Sequence, residues 1–210
     1  MQGVVQNNNA TLSGVVMSDF QYNYTVINEK FYKSFIKIER HSGAVDVIPI
    51  NVSENIADLD NIKIGDFVTI KGQFRSYNQQ TEENKSRLLL TVHVRSIEKE
   101  DTETYCINDI YLNGYICKKP IYRITPQGRR ITDVFLAVNR AYGRCDYIPC
   151  IFWGNDAYTA RYLQVGSQCI VQGRIQSREY EKDNGKYIEK KTAYEVSIKS
   201  IISMQEDKGE

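Results

Sequence analysis

The chain has 210 residues, 41% of them apolar and 25% charged, with a net charge of +1. That is room for one large domain or two of about a hundred residues. No apolar run approaches the ~18 residues of a membrane-spanning helix, and the opening MQGVVQNNNA has no basic and apolar segments of a secretory signal.

Five scattered cysteines without a C-x-x-C pair argue against a disulfide framework and for a reducing, cytoplasmic setting. Cys145 and Cys150, with two isolated histidines, make no zinc site. No metal or cofactor is expected.

Residues 1–9 are polar and Asn-rich and read as a loose tail. Alternating apolar patterns then predict a strand over 10–18 and a hairpin over 31–39 with 45–52. A short helix is predicted over 54–62, with Ser53 as its cap. Gly65 stops that helix, and strands follow over 66–76 and 87–97. The segment between these last two strands, NQQTEENKS, reads as a long acidic loop with Tyr77 before it.

The same order then returns. Ala10-Thr11-Leu12-Ser13-Gly14 aligns with Ile110-Tyr111-Leu112-Asn113-Gly114 at an offset of 100. The offset also pairs Phe35 with Phe135, Arg40 with Arg140, Asp46 with Asp146, and Ile48-Pro49 with Ile148-Pro149. It drifts to 101 for Gly65 with Gly166 and for Gly72 with Gly173. Two copies with small insertions make two similar domains in tandem, 10–98 and 108–202, with 99–107 as a charged linker and 203–210 as a tail. The copies differ in charge: residues 10–98 carry 10 Lys+Arg against 11 Asp+Glu, or −1, and residues 108–202 carry 15 against 9, or +6.

In the second copy a strand is predicted over 108–117, a hairpin over 131–140 with 146–153, and a helix over 155–164 capped by Asn155. Two strands close it, 168–179 and 187–201. Asn184-Gly185 between them signals a tight turn at the end of a ribbon. Five strands with one helix between the third and fourth is the order of the OB-fold, a small Greek-key barrel. The fold class is therefore all-β with short helices, two OB-folds in tandem.

The second hairpin interleaves cations and rings: Arg140, Tyr142, Arg144, Tyr147 and Trp153. Gly143 permits the turn between its strands. The ribbon adds Arg174, Arg178 and Tyr180. Arginine neutralises phosphate and flat rings stack on exposed bases, so this set suits a flexible polyanion. Tyr147 and Trp153 lie an even number of residues apart and share a face. Alternation alone leaves open whether that face is core, because Ile148 and Ile151 differ in parity.

Residues 108–202 resemble the DNA-binding domain of the bacterial single-stranded-DNA-binding protein (SSB) family. The resemblance rests on NGYICKKPIYRITPQGRRITDVFLAVNRAYGRCDYIPCIFWG, then YLQVGSQCIVQGRIQSREY, then the Asn-Gly hairpin, in that order. It implies an OB-fold that holds single-stranded DNA without sequence preference, in replication, recombination or repair. It implies that Tyr142, Tyr147, Trp153 and Tyr180 stack on bases, and that Arg140, Arg144, Arg174 and Arg178 follow the backbone.

Family members with one barrel form tetramers, so two barrels per chain imply a homodimer. The sequence ends SMQEDKGE, without the acidic, apolar-tipped tail through which the family recruits other proteins, so that route is not expected. In the first copy, the positions of Tyr142, Tyr147 and Trp153 hold Ser42, Val47 and Ser53. Lys33, Lys37, Arg40, Arg75 and Tyr77 remain as contacts there, and the copy reads as a weaker binder or an assembly domain. Two alternatives stand beside the leading reading: an RNA-binding or primosome-type OB module, and a protein-binding adaptor. No nucleophile–base pair and no phosphate-cradling glycine loop points to an enzyme.

Overall fold

The computed structural model describes residues 7–205 apart from 57, 81–85, 102–104, 184 and 186–187. For Gln80, Ser86, Tyr142 and Lys182 it describes the backbone alone. The first half runs β1 (Asn8–Val16), β2 (Gln21–Val26), β3 (Glu29–Glu39), β4 (Val45–Ser53), β5 (Phe67–Gln80) and β6 (Ser86–Lys99). The second half runs β7 (Asn108–Ile116), β8 (Ile121–Ile124), β9 (Arg130–Asn139), β10 (Cys145–Trp153), α1 (Gly154–Ala160), β11 (Gln168–Asp183) and β12 (Ile188–Gln205).

Each half is a closed OB-fold barrel, built by one sheet in the order β2-β3-β4-β6-β5-β1-β7-β11-β12-β10-β9-β8. Closure comes from β1 and β7, which pair twice. β1 lies against β5 along Ala10↔Gly72 to Val15↔Phe67, then bends to meet β3 at Val15↔Lys37 and Val16↔Ile36. Gly14 and Gly114 stand at these bends: a Cβ at Gly14 would lie 2.3 Å from the Lys37 carbonyl oxygen, and one at Gly114 2.8 Å from that of Ala137. Gly14, Gly114, Gly72 and Gly173, repeated in the sequence, are thus positions where two backbones touch. The barrels fill with their own alternating residues, Leu12, Ile36, Ile48 and Phe74 in one and Leu112, Leu136, Ile148 and Phe152 in the other, all fully buried.

Several sequence expectations change. β1 starts at Asn8, inside the expected tail, because Asn8 works as part of the sheet: its amide donates to the Phe74 carbonyl and accepts from the Phe74 N–H, at 2.7 and 2.9 Å. Asn108 repeats this with Ile175. Two short strands, β2 and β8, were not expected; both pair on one side only, so no buried alternation marks them.

The helix expected over 54–62 is a 3-10 turn, Leu59–Asn61, closed by Asp58 accepting from Asp60 N–H and Asn61 Nδ2. Short Asx side chains compete there with helical hydrogen bonds. The second helix stops at Ala160, and its cap residue is Trp153, not Asn155. The first ribbon is longer than expected, with β5 and β6 paired out to Gln80↔Ser86. The expected loop tip at 81–85 and the Asn184, Lys186 and Tyr187 of the second ribbon's tip lie outside the described residues. Gly185 takes the left-handed φ of +78 that such a turn needs.

The two halves join through β1 and β7, antiparallel and centred on Ala10↔Ile110. The join is nearly two-fold: Ser13 N–H donates to Ile107 O, and Asn113 N–H to Asn7 O, both at 2.8 Å.

One turn breaks the usual residue preference. Ile27 and Asn28 join β2 to β3 with φ of +46 and +63. A β-branched residue pays for that conformation and Asn does not. Ile27 is 95% exposed, so no packing compensates. Ile27→Asn is expected to raise stability by about 1 kcal/mol, checked by urea unfolding.

Candidate nucleic-acid interface

The pleat of β9 and β10 settles which rings face outward. Val134, Leu136 and Val138 point into the barrel with Ile148, Cys150 and Phe152. The alternate residues form the outer face, where Tyr147 lies opposite Ala137, Pro149 opposite Phe135 and Trp153 opposite Ile131. Phe135, Tyr147 and Trp153 therefore share one side. Tyr147 is 43% exposed. Trp153 is half-buried, with its indole N–H donating to Ser197 Oγ on β12 at 3.0 Å.

Phe135 was not singled out from sequence. Its signal was present, since it alternates with Val134 and Leu136 in a run whose other phase is wholly aliphatic. The Lys118 ammonium sits 4.9 Å from its ring centroid. Further along, Arg178 lies 5.7 Å from the Tyr180 ring and 3.7 Å from the Glu195 carboxylate. Arg123 pairs with Asp133 at 2.6 Å on the same sheet. Arg144 is exposed at the start of β10, and Gly143 before it takes φ +66 as the turn requires. The Tyr142 side chain lies outside the described residues.

Arg140 is placed differently from the sequence expectation. Its guanidinium forks onto the buried Asp146 carboxylate, Nε to Oδ2 at 2.6 Å and Nη2 to Oδ1, and Nη2 also donates to the Ser76 carbonyl at 2.9 Å. Asp146 Oδ1 accepts the Ser76 N–H at 2.6 Å, and Ser76 Oγ accepts the Tyr147 N–H at 2.8 Å. Ser76 belongs to β5, so the hairpin of one half grips the ribbon of the other.

The near two-fold repeats the grip. Arg40 forks onto Asp46, Asp46 Oδ1 accepts the Ser177 N–H at 2.9 Å, and Ser177 Oγ accepts the Val47 N–H at 3.0 Å. Arg40 and Arg140 therefore hold structure; neither is a free cation on the face. Arg174 is half-buried beside Gln176; burial and then the nearby Arg40 hold it below the ordinary arginine value.

The first half keeps Lys33 exposed on β3 and Lys37 half-buried two turns of the pleat beyond. Arg75 is oriented by the neutral Gln73 side chain at 2.8 Å. Tyr77 lies under Arg140, 5.4 Å from ring to guanidinium. Ser42, Val47 and Ser53 put no ring at the three matched positions, yet the first half holds others: Tyr24 stacks on Phe31 (5.0 Å, 23°) and Phe31 on His93 (5.5 Å, 30°). These rings come from β2, β3 and β6, so comparing β4 with β10 could not reveal them.

The Single-strand binding protein family matches residues 107–204. The single-stranded DNA-binding protein of Bacillus cereus is 38% identical over 89 residues, 39% of this chain and 52% of the relative. Single-stranded DNA-binding protein B of Bacillus subtilis is 40% identical over 85 residues, 37% of this chain and 75% of the relative. The chain spans about half the length of several of the curated relatives it matches. Among solved structures, the wild-type single-stranded DNA binding protein from Thermus aquaticus superposes with a TM-score of 0.74 at 18% identity, covering 97% of this chain and 94% of that one. That likeness speaks for the fold of both halves.

Proposed function

Because the chain belongs to the single-strand binding protein family, we propose that it binds single-stranded DNA without sequence preference, in replication, recombination or repair. The observation that carries the reading is the outer face of the second barrel, where Phe135, Tyr147 and Trp153 stand on one side of the sheet within the matched region. Each base stacked on such a ring contributes roughly 1–3 kcal/mol, and every base has a flat face, so little sequence choice follows.

Lys118, Arg144 and Arg178 supply the charge that follows the phosphates, and Tyr180 extends the stacking surface toward the ribbon. Arg140 and Arg40 position this surface through their aspartates, and Arg174 supports it from a half-buried place. Duplex DNA, with its bases already stacked, offers these rings nothing. Two barrels per chain make a dimer the assembly with four barrels, acting in the cytoplasm.

Trp153 is the chain's one tryptophan, so its fluorescence reports this face alone. Titration with oligo-dT is expected to quench it, with affinity falling steeply as salt rises. The absence of quenching, or tighter quenching by a matched RNA oligomer, would refute the assignment. Light scattering of the free protein checks the dimer.

A further inference from the structure

We infer that copies of this chain that follow one another on a DNA strand dock head to tail: the arginine–tyrosine cluster beside α1 of one copy seats in an acidic cleft on the first half of the next. The inference rests on the reading of the chain as a single-stranded DNA binder, and adds to it a partner, a second copy.

The cluster is built by α1 and β8. Arg161, at the end of α1, holds its guanidinium over three rings: Tyr158 at 3.8 Å, Tyr162 at 4.4 Å and Tyr122 of β8 at 5.3 Å from the centroids. It also donates to the Tyr162 hydroxyl. Tyr158 and Tyr162 meet edge to face at 5.8 Å, and both are exposed. Among the described residues no carboxylate reaches Arg161, and its Nε, shielded from solvent, has no hydrogen-bond partner. Arginine and tyrosine are the residues that anchor protein interfaces.

This cluster stands apart from the stacking face. Tyr122 lies opposite Thr132, whose hydroxyl donates to the Ala157 carbonyl of α1. That pair points to the side of the sheet that carries α1, whereas Phe135 and Trp153 belong to the other phase. A guanidinium already covers one face of each ring in the cluster.

The repeat supplies the partner. Leu163 corresponds to Ile62 at the offset of 101 that Gly166 and Gly65 set, and both are buried. By the same offset Arg161 corresponds to Asp60, so the first half inverts the charge at this place. A cleft of about 370 Å³ opens there, with Asp19, Glu54, Asp58 and Asp60 around Phe20 and Tyr32. Lys63 is the only cation among the described residues that line it. Glu54 is paired with Lys30, and Asp58 accepts from Asp60 N–H and Asn61 Nδ2. The exposed Asp19 and Asp60 carboxylates make no ion pair among the described residues.

A guanidinium framed by rings and a carboxylate cleft with an apolar floor complement each other in charge. Within one chain they do not meet, since the groups around Arg161 are its own three tyrosines. A DNA strand has polarity, so successive copies present the end of one to the start of the next. A heterologous contact of this kind repeats along the strand.

The test uses the full chain with Arg161→Glu, with Asp60→Lys, and with both. Binding is read on oligo-dT of roughly 150 nucleotides, with room for several copies, and as Trp153 quenching by one of roughly 12, with room for one barrel. Each single variant is expected to lose about 5-fold or more in affinity for the long oligomer, the range of a coupling between neighbours. In native electrophoresis the parent should give fully covered and bare oligomers side by side, and the single variants partly covered ones. The combined variant, whose reversed charges match again in every copy, should regain both affinity and full coverage. Asp60→Lys adds a cation, which by itself tightens the hold on DNA, so its loss reports the contact and not the phosphates.

Quenching by the short oligomer should be the same in all four proteins. Parent-like binding of the long oligomer by Asp60→Lys, or a combined variant no better than the single ones, would overturn the docking and leave the stacking face in place. Failure of the parent to quench with either oligomer would overturn the underlying reading as well.

Discussion

Asp146→Ala is expected to lower the unfolding free energy by about 3–5 kcal/mol, the cost of leaving a buried charge without its partner. The carboxylate is almost fully buried and meets three demands at once: both donors of the Arg140 fork and the Ser76 N–H of the opposite ribbon. Alanine strands a guanidinium whose side chain is only 18% exposed, together with a buried peptide N–H. Arg140→Met is expected to cost a similar amount, because it strands the carboxylate instead. Arg140→Met combined with Asp146→Leu should recover much of the loss, since an apolar pair of similar size needs no desolvated charge. Urea unfolding of the four proteins gives the cycle. A cost under about 1 kcal/mol for Asp146→Ala, the range of an exposed ion pair, would show that the grip does not hold the halves. Asp46→Ala should behave like Asp146→Ala, because Arg40 and Ser177 repeat the arrangement.

The grip explains why one part of the site was misread from sequence. The repeat aligns Arg40 with Arg140 and Asp46 with Asp146, but type and offset do not reveal partners. Ser76 meets Asp146 across 70 residues and Ser177 meets Asp46 across 131. Nothing local marks such contacts, so Arg140 reads as a free cation until the fold closes. The five-stranded plan was legible for the opposite reason: Val134, Leu136 and Val138 declare their strand within a few residues, and Gly14 and Gly114 mark the bends that close each barrel.

β2 escaped because Gln21–Val26 buries neither face, so no alternation marks it. With it escaped the Tyr24 ring stack, whose other members Phe31 and His93 lie on β3 and β6. Edge strands that gain meaning only from what stacks on them are where periodicity has least to offer.

Phe135→Ala is expected to weaken oligo-dT binding by about 5- to 150-fold, the equivalent of one lost base stack of roughly 1–3 kcal/mol. The position separates ligand binding from barrel stability better than Trp153 does. Trp153 anchors its indole N–H on Ser197 of β12, so Trp153→Ala breaks a hydrogen bond between strands as well as removing a ring. Phe135 points away from the core residues Val134 and Leu136, and its neighbour across the strand is Pro149. Its loss should lower the melting temperature little.

Phe135→Tyr keeps the ring and should bind nearly as the parent does, whereas Phe135→Leu keeps the bulk and should resemble alanine. Lys118 stands over the same ring, so Lys118→Gln should weaken binding less than Phe135→Ala and mainly flatten the salt dependence. Should Phe135→Leu bind like the parent while Trp153→Phe does not, base stacking would be confined to the end of β10 and the centre of the face would serve the phosphates alone.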